Sequence, residues 1–129
     1  MSALVYIAGP YAAPTAEERA ENVRRVGVLS RHAVALGLVP VSVHAAVEAG
    51  HFGRDDVPED RAAGLWASTQ LAAGIARLGG LLWVIRRDDG SLSEGTQREV
   101  QAFMAVAPDG MYCPGAPWGE WSKIIGKHP

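Results

Sequence analysis

The fold is decided by residues 4–10, Leu-Val-Tyr-Ile-Ala-Gly-Pro, where a short continuous apolar run ends at a Gly-Pro pair. Such a run is typical of a β-strand buried on both faces, so we predict a first strand over Leu4–Ala8. Thr15-Ala-Glu-Glu18 follows as a capping box, in which the Thr15 side chain can accept from the amide at position 18. A helix should therefore begin there and end near Gly37.

Strand-like and helix-like segments alternate along the rest of the chain. The further predicted strands are Leu38–Val43, Leu81–Ile85 and a weak one at Met111–Cys113. The further predicted helices run from Pro58 to about Leu78, from near Ser93 to about Val106, and from Trp118 to Ile125. Residues 44–57 and the Gly- and Pro-rich stretch 108–119 are predicted to be irregular, and Pro40 should place its strand at a sheet edge because it lacks a backbone donor.

This alternation predicts an α/β fold. Strands joined through helices form right-handed crossovers, which produce a parallel sheet covered on both sides. A length of 129 residues suits one domain over residues 1–129, since two cores would each bury too little surface.

Composition and charge exclude several classes of function. The formal net charge is −2 and the basic residues form no stripe, which argues against a nucleic-acid duplex as partner. The single cysteine, Cys113, cannot form an internal disulfide, which favours the cytoplasm. The run before Gly9 is too short for a signal peptide or membrane span, so no membrane partner is expected.

The sequence also contains no motif that indicates a cofactor or a metal ion. The sequence has neither of the glycine-rich phosphate-loop patterns, so a kinase or dinucleotide dehydrogenase is not expected. His44, His51 and Cys113 do not have the spacing of known metal motifs. We therefore expect no cofactor and no metal.

Two segments follow predicted strands and are expected to form the site. In parallel sheets ligands bind at the carboxyl ends of the strands, and Gly9-Pro10-Tyr11 and Ser93-Glu-Gly-Thr-Gln-Arg-Glu99 both lie there. Ser93 and Thr96 can cap the helix, while Gly95 lets a ligand approach the backbone. Glu99 lies one turn further on, so its carboxylate should point back to the same place.

Glu99 also precedes an apolar stripe that includes Val100 and Phe103. We expect the carboxylate to be partly desolvated yet held ionised near the helix start, as a nucleophile toward a sugar carbon requires. The alternative interpretation is a surface glutamate that makes a local hydrogen bond.

Tyr6-Ile-Ala-Gly-Pro-Tyr11 together with Ser93-x-Gly95-Thr96-x-x-Glu99 resembles the nucleoside 2-deoxyribosyltransferase superfamily, which includes nucleotide N-glycosidases. The resemblance spans about residues 3–106. It implies a flavodoxin-like, Rossmann-like three-layer sandwich with a mainly parallel sheet of four or five strands. It also implies a homodimer or higher homo-oligomer that completes the pocket across a subunit contact.

The resemblance further implies roles for individual residues. Glu99 would attack the anomeric carbon and form a glycosyl ester, Tyr6 would position it, and Ser93 would contact a 5′-phosphate. The remaining residues that we expect to bind substrate are Gly9, Pro10, Tyr11, His44, Gly95 and Thr96. His44 has an alternative interpretation as a loop histidine without ligand contact.

The sequence also departs from the family pattern. The family carries an aspartate on the helix before the third strand, but Ser68-Thr-Gln-Leu-Ala-Ala73 has none, and Gln70 cannot transfer a proton. A second acidic position is occupied by Gly80. The proton donor to the leaving base is therefore unassigned.

Other candidate ligand contacts have structural alternatives. Arg19, Arg24 and Arg25 could neutralise a phosphate or form a solvated face, the interpretation that we favour for Arg25. Trp66 could stack on a base, but a core position is favoured.

The sequence as a whole predicts cleavage or transfer of an N-glycosidic bond in a nucleoside or nucleoside 5′-monophosphate. The alternatives are a non-catalytic nucleotide-binding module and an enzyme acting on another ribosyl compound.

Overall fold

The computed structural model describes residues 3–54, 56–108 and 115–126. Within these ranges four strands form one sheet: β1 (Leu4–Ala8), β2 (Val39–Val41), β3 (Leu81–Arg86) and β4 (Ala116–Pro117). Their order is β2-β1-β3-β4, and every pairing is parallel. This is the flavodoxin-like order, and the predicted α/β class is confirmed.

Five helices accompany the sheet in the described ranges: α1 (Ala16–Ala35), α2 (His44–Glu48), α3 (Pro58–Arg77), α4 (Glu94–Val106) and α5 (Trp118–Gly126). The predicted cap of α1 is confirmed, because the Thr15 side chain accepts from the amide of Glu18 at 3.1 Å. Gly37 follows this helix with φ +81°, a conformation that glycine adopts without strain.

The sheet has a hydrophobic core on each face, which makes a three-layer sandwich. Tyr6, Ala8, Leu82 and Val84 point toward α3 and α4, where Phe103 is fully buried. Ile7 and Ile85 point the other way, toward α1 and α5. Successive residues of β1 and β3 therefore serve opposite cores, which explains their continuous apolar sequence.

The order in which strands are added to the sheet reverses between β1 and β3. Strand β2 lies on one side of β1, at the predicted edge, and β3 lies on the other. Crossovers that leave in opposite directions open a crevice at the carboxyl ends of these strands, which is where ligands bind in such folds. Gly9 directly follows β1 there, and a Cβ at this position would lie 3.1 Å from Ile85 Cβ.

Two predictions of irregular structure are wrong in part. Residues 44–48 form α2, and strand β4 lies inside the stretch 108–119. Pairing of β4 depends on Gly115, which has φ +83° and whose missing Cβ would lie 2.7 Å from the Val84 carbonyl oxygen. The strand predicted at Met111–Cys113 lies outside the described residues, and β2 is shorter than the predicted Leu38–Val43.

Candidate active site

A cavity of about 200 Å³ opens at the carboxyl ends of β1 and β3. Its walls come from the loop after β1, from α2, from one face of α3, and from the loop and first turns of α4. Of the nine residues predicted for the site, six line it: Gly9, Tyr11, His44, Ser93, Gly95 and Glu99. The two motifs chosen from sequence are therefore brought together at one cavity.

Glu99 is the most deeply buried carboxylate of the cavity, with 5 % of its surface exposed. Burial raises its pKa to about 7, and the neighbouring Tyr6 hydroxyl lowers it only in part. This shift agrees with the predicted desolvation, whereas the predicted ionised state would dominate only above about pH 7, because desolvation outweighs the effect of the helix start. A glutamate with a pKa near neutrality exchanges its proton readily at physiological pH.

Tyr6 lies beside Glu99 beneath the cavity, and its side chain is fully buried. Burial raises the pKa of the Tyr6 hydroxyl well above its usual value, and the neighbouring Glu99 charge raises it further. The tyrosine is therefore a neutral donor facing a carboxylate. The contact falls short of a formed hydrogen bond, because neither Tyr6 Oη nor Glu99 Oε2 has a partner within the described residues.

The start of α4 holds the other half of the motif. Ser93 is the N-cap, and its Oγ accepts from the Thr96 amide at 3.2 Å and lies 2.7 Å from Thr96 Oγ1. Thr96 is fully buried and does not line the cavity as predicted, because its side chain is engaged in this cap. Gly95 does line it, with Leu65 Cδ2 3.3 Å from where a Cβ would lie.

His44 begins α2 and is buried against the loop after β1. Its Nε2 donates to the carbonyl oxygens of Gly9 and Pro10, at 3.0 and 3.1 Å. Pro10 therefore supports the site through its carbonyl group, and it is not part of the described cavity wall. Burial lowers the pKa of His44, so the ring is neutral and Nδ1 is an acceptor, one that has no hydrogen-bond partner among the residues described.

One face of α3 forms a wall that the sequence analysis missed. Its members recur at helical spacing: Asp60, Arg61, Gly64, Leu65 and Ser68. That spacing was available from the sequence, but it carries no motif that separates a cavity wall from a core stripe. Asp60 Oδ2 accepts from the Arg54 amide at 2.9 Å, and Ser68 Oγ donates to the Leu65 carbonyl.

The structure also accounts for the missing acidic positions. Gln70 is exposed on α3, whereas Ser68 is buried in the cavity wall. Gly80 has no room for a side chain, because a Cβ would lie 2.5 Å from Ile75 Cγ2 and 2.9 Å from the Leu4 carbonyl oxygen. Any acid at position 80 would require a different packing of α3 against β1.

The arginines that face the cavity are not those predicted. Arg61 and Arg87 line it, whereas Arg24 is exposed and paired with Glu21 at 2.5 Å. The solvated face favoured for Arg25 is wrong: its side chain is 24 % exposed, pairs with Glu21 and Asp88, and lies over the Trp118 ring.

The exposure of Trp66 also differs from the prediction. It is 67 % exposed, so the core position is wrong, and the cavity wall at this turn of α3 is Leu65.

Residues 3–107 match a family described as a domain of unknown function, DUF7768. The chain belongs to this family. The match ends within one residue of α4 and so includes every cavity-lining element described above. No curated protein and no solved structure matches the chain.

The described ranges lack two further features. They contain no group of three or more His, Cys, Asp and Glu side chains that could hold a metal ion. No helix within them is both long and apolar enough to span a membrane.

Proposed function

We propose that this protein cleaves or transfers the N-glycosidic bond of a nucleoside or nucleoside 5′-monophosphate, with Glu99 as nucleophile. The observation that carries the proposal is a buried carboxylate in a cavity wall, beside a neutral tyrosine, with an oxygen for which the described residues provide no partner. Buried polar atoms are normally paired, and unpaired ones concentrate where a ligand completes the arrangement. The resemblance of the two sequence motifs to the nucleoside 2-deoxyribosyltransferase superfamily indicates nucleosides and nucleotides as the class of ligand.

In the proposed reaction a Glu99 oxygen attacks the anomeric carbon as the bond to the base nitrogen breaks. The electron pair of that bond leaves with the base, which takes up a proton, and a glycosyl ester remains on Glu99. Water or a second base then attacks the same carbon, loses a proton and releases the carboxylate. The Tyr6 hydroxyl favours the ionised state that attack requires, because it lowers the pKa of Glu99.

The cavity lining combines polar and apolar groups that suit such a substrate. Ser93 and Gly95 present the start of α4 on one side, where free backbone amides favour an anion such as a 5′-phosphate. Phe52, Val47 and Leu65 add apolar surface to the wall, which suits the faces of a base.

The proposal is tested with a Glu99→Gln variant and a panel of nucleosides and nucleoside monophosphates, assayed for released base. We expect base release to fall by at least about 10³-fold, since the variant cannot form the ester. Glu94→Gln is the matched control, because Glu94 lines the same cavity from the same helix but is exposed and paired with Arg98. Undiminished turnover of an authentic substrate by Glu99→Gln would refute the mechanism.

A second candidate function is a nucleotide-binding module without catalysis. It is favoured by the absence of an acid over 68–73 and by the tight packing at Gly80. Calorimetry with nucleotides followed by analysis for free base separates the two, because a module binds without releasing base.

We also infer a homodimer or higher homo-oligomer and a cytoplasmic location. The oligomer follows from the motif resemblance and the location from the single cysteine. Sedimentation of the full chain tests the first, and fractionation of cells tests the second.

A further inference from the structure

A second cavity, of about 680 Å³, adjoins the first at the end remote from α4. The two share five lining residues: Tyr11, Ala12, Val47, Gly53 and Arg61. The second cavity therefore continues the first, and a ligand that fills the first can extend into it.

We infer that this second cavity is an anion subsite, formed by Arg19 and Arg61, for an acidic substituent on the leaving group. The inference rests on the proposed function for the orientation of the ligand. With the 5′-phosphate at Ser93 and the anomeric carbon at Glu99, the base points away from α4 toward the shared residues. A group attached to the far edge of the base then enters the second cavity.

The balance of acidic and basic side chains differs between the two cavities. The described wall of the first carries the carboxyl groups of Asp60, Glu94 and Glu99 together with two arginines. The described wall of the second carries three arginines and one carboxylate, Asp56. Arginines therefore outnumber carboxylates in the described wall of the second cavity, which favours an anion there.

The arginines of the second cavity are held in different ways. Arg54 forms a two-point contact with Asp56, at 3.1 and 2.8 Å, so these two charges largely offset one another. Arg19 is half-buried, donates from its Nη1 to the Ala13 carbonyl oxygen at 3.1 Å, and contributes with Arg54 to lowering the pKa of the exposed Asp56 carboxyl group. Arg61 is half-buried on the opposite wall, from α3.

Half-buried guanidinium groups are well suited to planar anions. They donate several N–H groups in a fixed arrangement, and partial exclusion of water strengthens the interaction with a carboxylate or phosphate. We therefore assign to this site a substrate whose base carries a carboxylate or a comparable anion.

The test uses two probes that differ by one charge, 5-carboxyuridine 5′-monophosphate and 5-carbamoyluridine 5′-monophosphate. Binding to the full chain is measured by calorimetry at low ionic strength, so the readout does not depend on turnover. We expect the carboxylated probe to bind about tenfold more tightly, as a charge-assisted hydrogen bond would produce. The preference should shrink at high salt.

Arg19→Gln should abolish the preference, and Arg61→Gln should reduce it. Arg24→Gln is the matched control, because Arg24 lies on the same helix but is exposed and paired with Glu21. Thermal unfolding of each variant establishes that it is folded. Equal binding of the two probes by the unmodified protein, binding of neither, or a preference that persists in Arg19→Gln would overturn the inference.

The outcome is separable from that of the proposed function. If the charge preference is found but Glu99→Gln releases base as well as the unmodified protein does, the subsite stands and the mechanism fails. If base release depends on Glu99 but the probes bind equally, the mechanism stands and the subsite fails.

Discussion

The two faces of the sheet bury polar groups in opposite ways. Toward α1 and α5, the Trp121 indole donates from Nε1 to the Val84 carbonyl oxygen at 2.9 Å, and Trp83 lies between the rings of Trp121 and His32. Toward α3 and α4, the buried Tyr6 hydroxyl and Glu99 Oε2 have no hydrogen-bond partner in the described ranges. Burial without a partner costs free energy, and under the proposed function a ligand would offset that cost on the second face.

Replacing Trp121 by Ala should give the largest loss of stability. The side chain is 5 % exposed and packs with Ile7 and Leu29, so the change leaves a cavity and removes a donor to the Val84 carbonyl group. We expect the free energy of unfolding to fall by about 3–5 kcal/mol, measured by urea denaturation. Trp66→Ala is the control and should change it by less than about 0.5 kcal/mol, because Trp66 is exposed. Equal losses of stability in Trp121→Ala and Trp66→Ala would show that the buried, hydrogen-bonded Trp121 stabilises the fold no more than an exposed tryptophan does.

Glu99→Gln should have an opposite, pH-dependent effect on stability. The native pKa of about 7 lies above the unfolded value of 4.5, so the native state holds a proton that the unfolded state has lost between these pH values. The unmodified protein therefore loses stability as pH rises from about 4.5 to about 7, by about 3 kcal/mol in total. The Glu99→Gln variant lacks this ionisable group, so it does not lose stability in this way.

We accordingly expect the variant to gain about 3 kcal/mol relative to the unmodified protein between pH 4 and pH 8. Comparing the two pH values cancels any constant cost of the buried amide. The measurement is urea denaturation at both pH values, with Glu94→Gln as the exposed control. A difference between variant and unmodified protein that does not change with pH would show that Glu99 is not destabilised by burial.

The two helix caps provide a smaller and more selective comparison. Thr15 caps α1 and Ser93 caps α4, each through a side-chain oxygen that accepts a backbone amide. Thr15→Ala and Ser93→Ala should each lower the free energy of unfolding by about 1 kcal/mol. Only Ser93→Ala should also weaken the binding of uridine 5′-monophosphate, measured by calorimetry, since only Ser93 lines the cavity. Equal binding by both variants would place the phosphate elsewhere.

Local signals explain which parts of the fold could be predicted from the sequence. The apolar run of β1, the capping box at Thr15 and the Ser93 motif all act within a few residues, and all three elements begin where predicted. Strand β4 has two residues and depends on a close approach of Gly115 to Val84. That approach is a tertiary contact, which no pattern around residue 116 encodes.

The candidate site, too, could be predicted from the sequence only in part. The spacing of Gly95 and Glu99 predicted that both face one cavity, because one helical turn separates them. The wall formed by α3 was missed, since its position depends on packing against α4 rather than on a motif. The extent of the pKa shift of Glu99 was not predictable for a related reason, because it depends on how completely the folded chain buries the carboxylate, which spacing does not reveal.

Tyr6→Phe should have the smallest effect on stability and the most specific effect on Glu99. The change removes a buried hydroxyl that finds no partner among the described residues, so its loss gives up little, and we expect the free energy of unfolding to change by less than about 1 kcal/mol. The hydroxyl nevertheless lowers the pKa of Glu99, and without it that pKa should move upward from about 7. Carbon-13 NMR titration of labelled glutamate carboxyl groups measures the shift directly, with the Glu99→Gln spectrum identifying the resonance. If the pKa of Glu99 stayed unchanged while stability fell by several kcal/mol, Tyr6 would be a paired core residue like Trp121, and the contrast between the two faces would disappear.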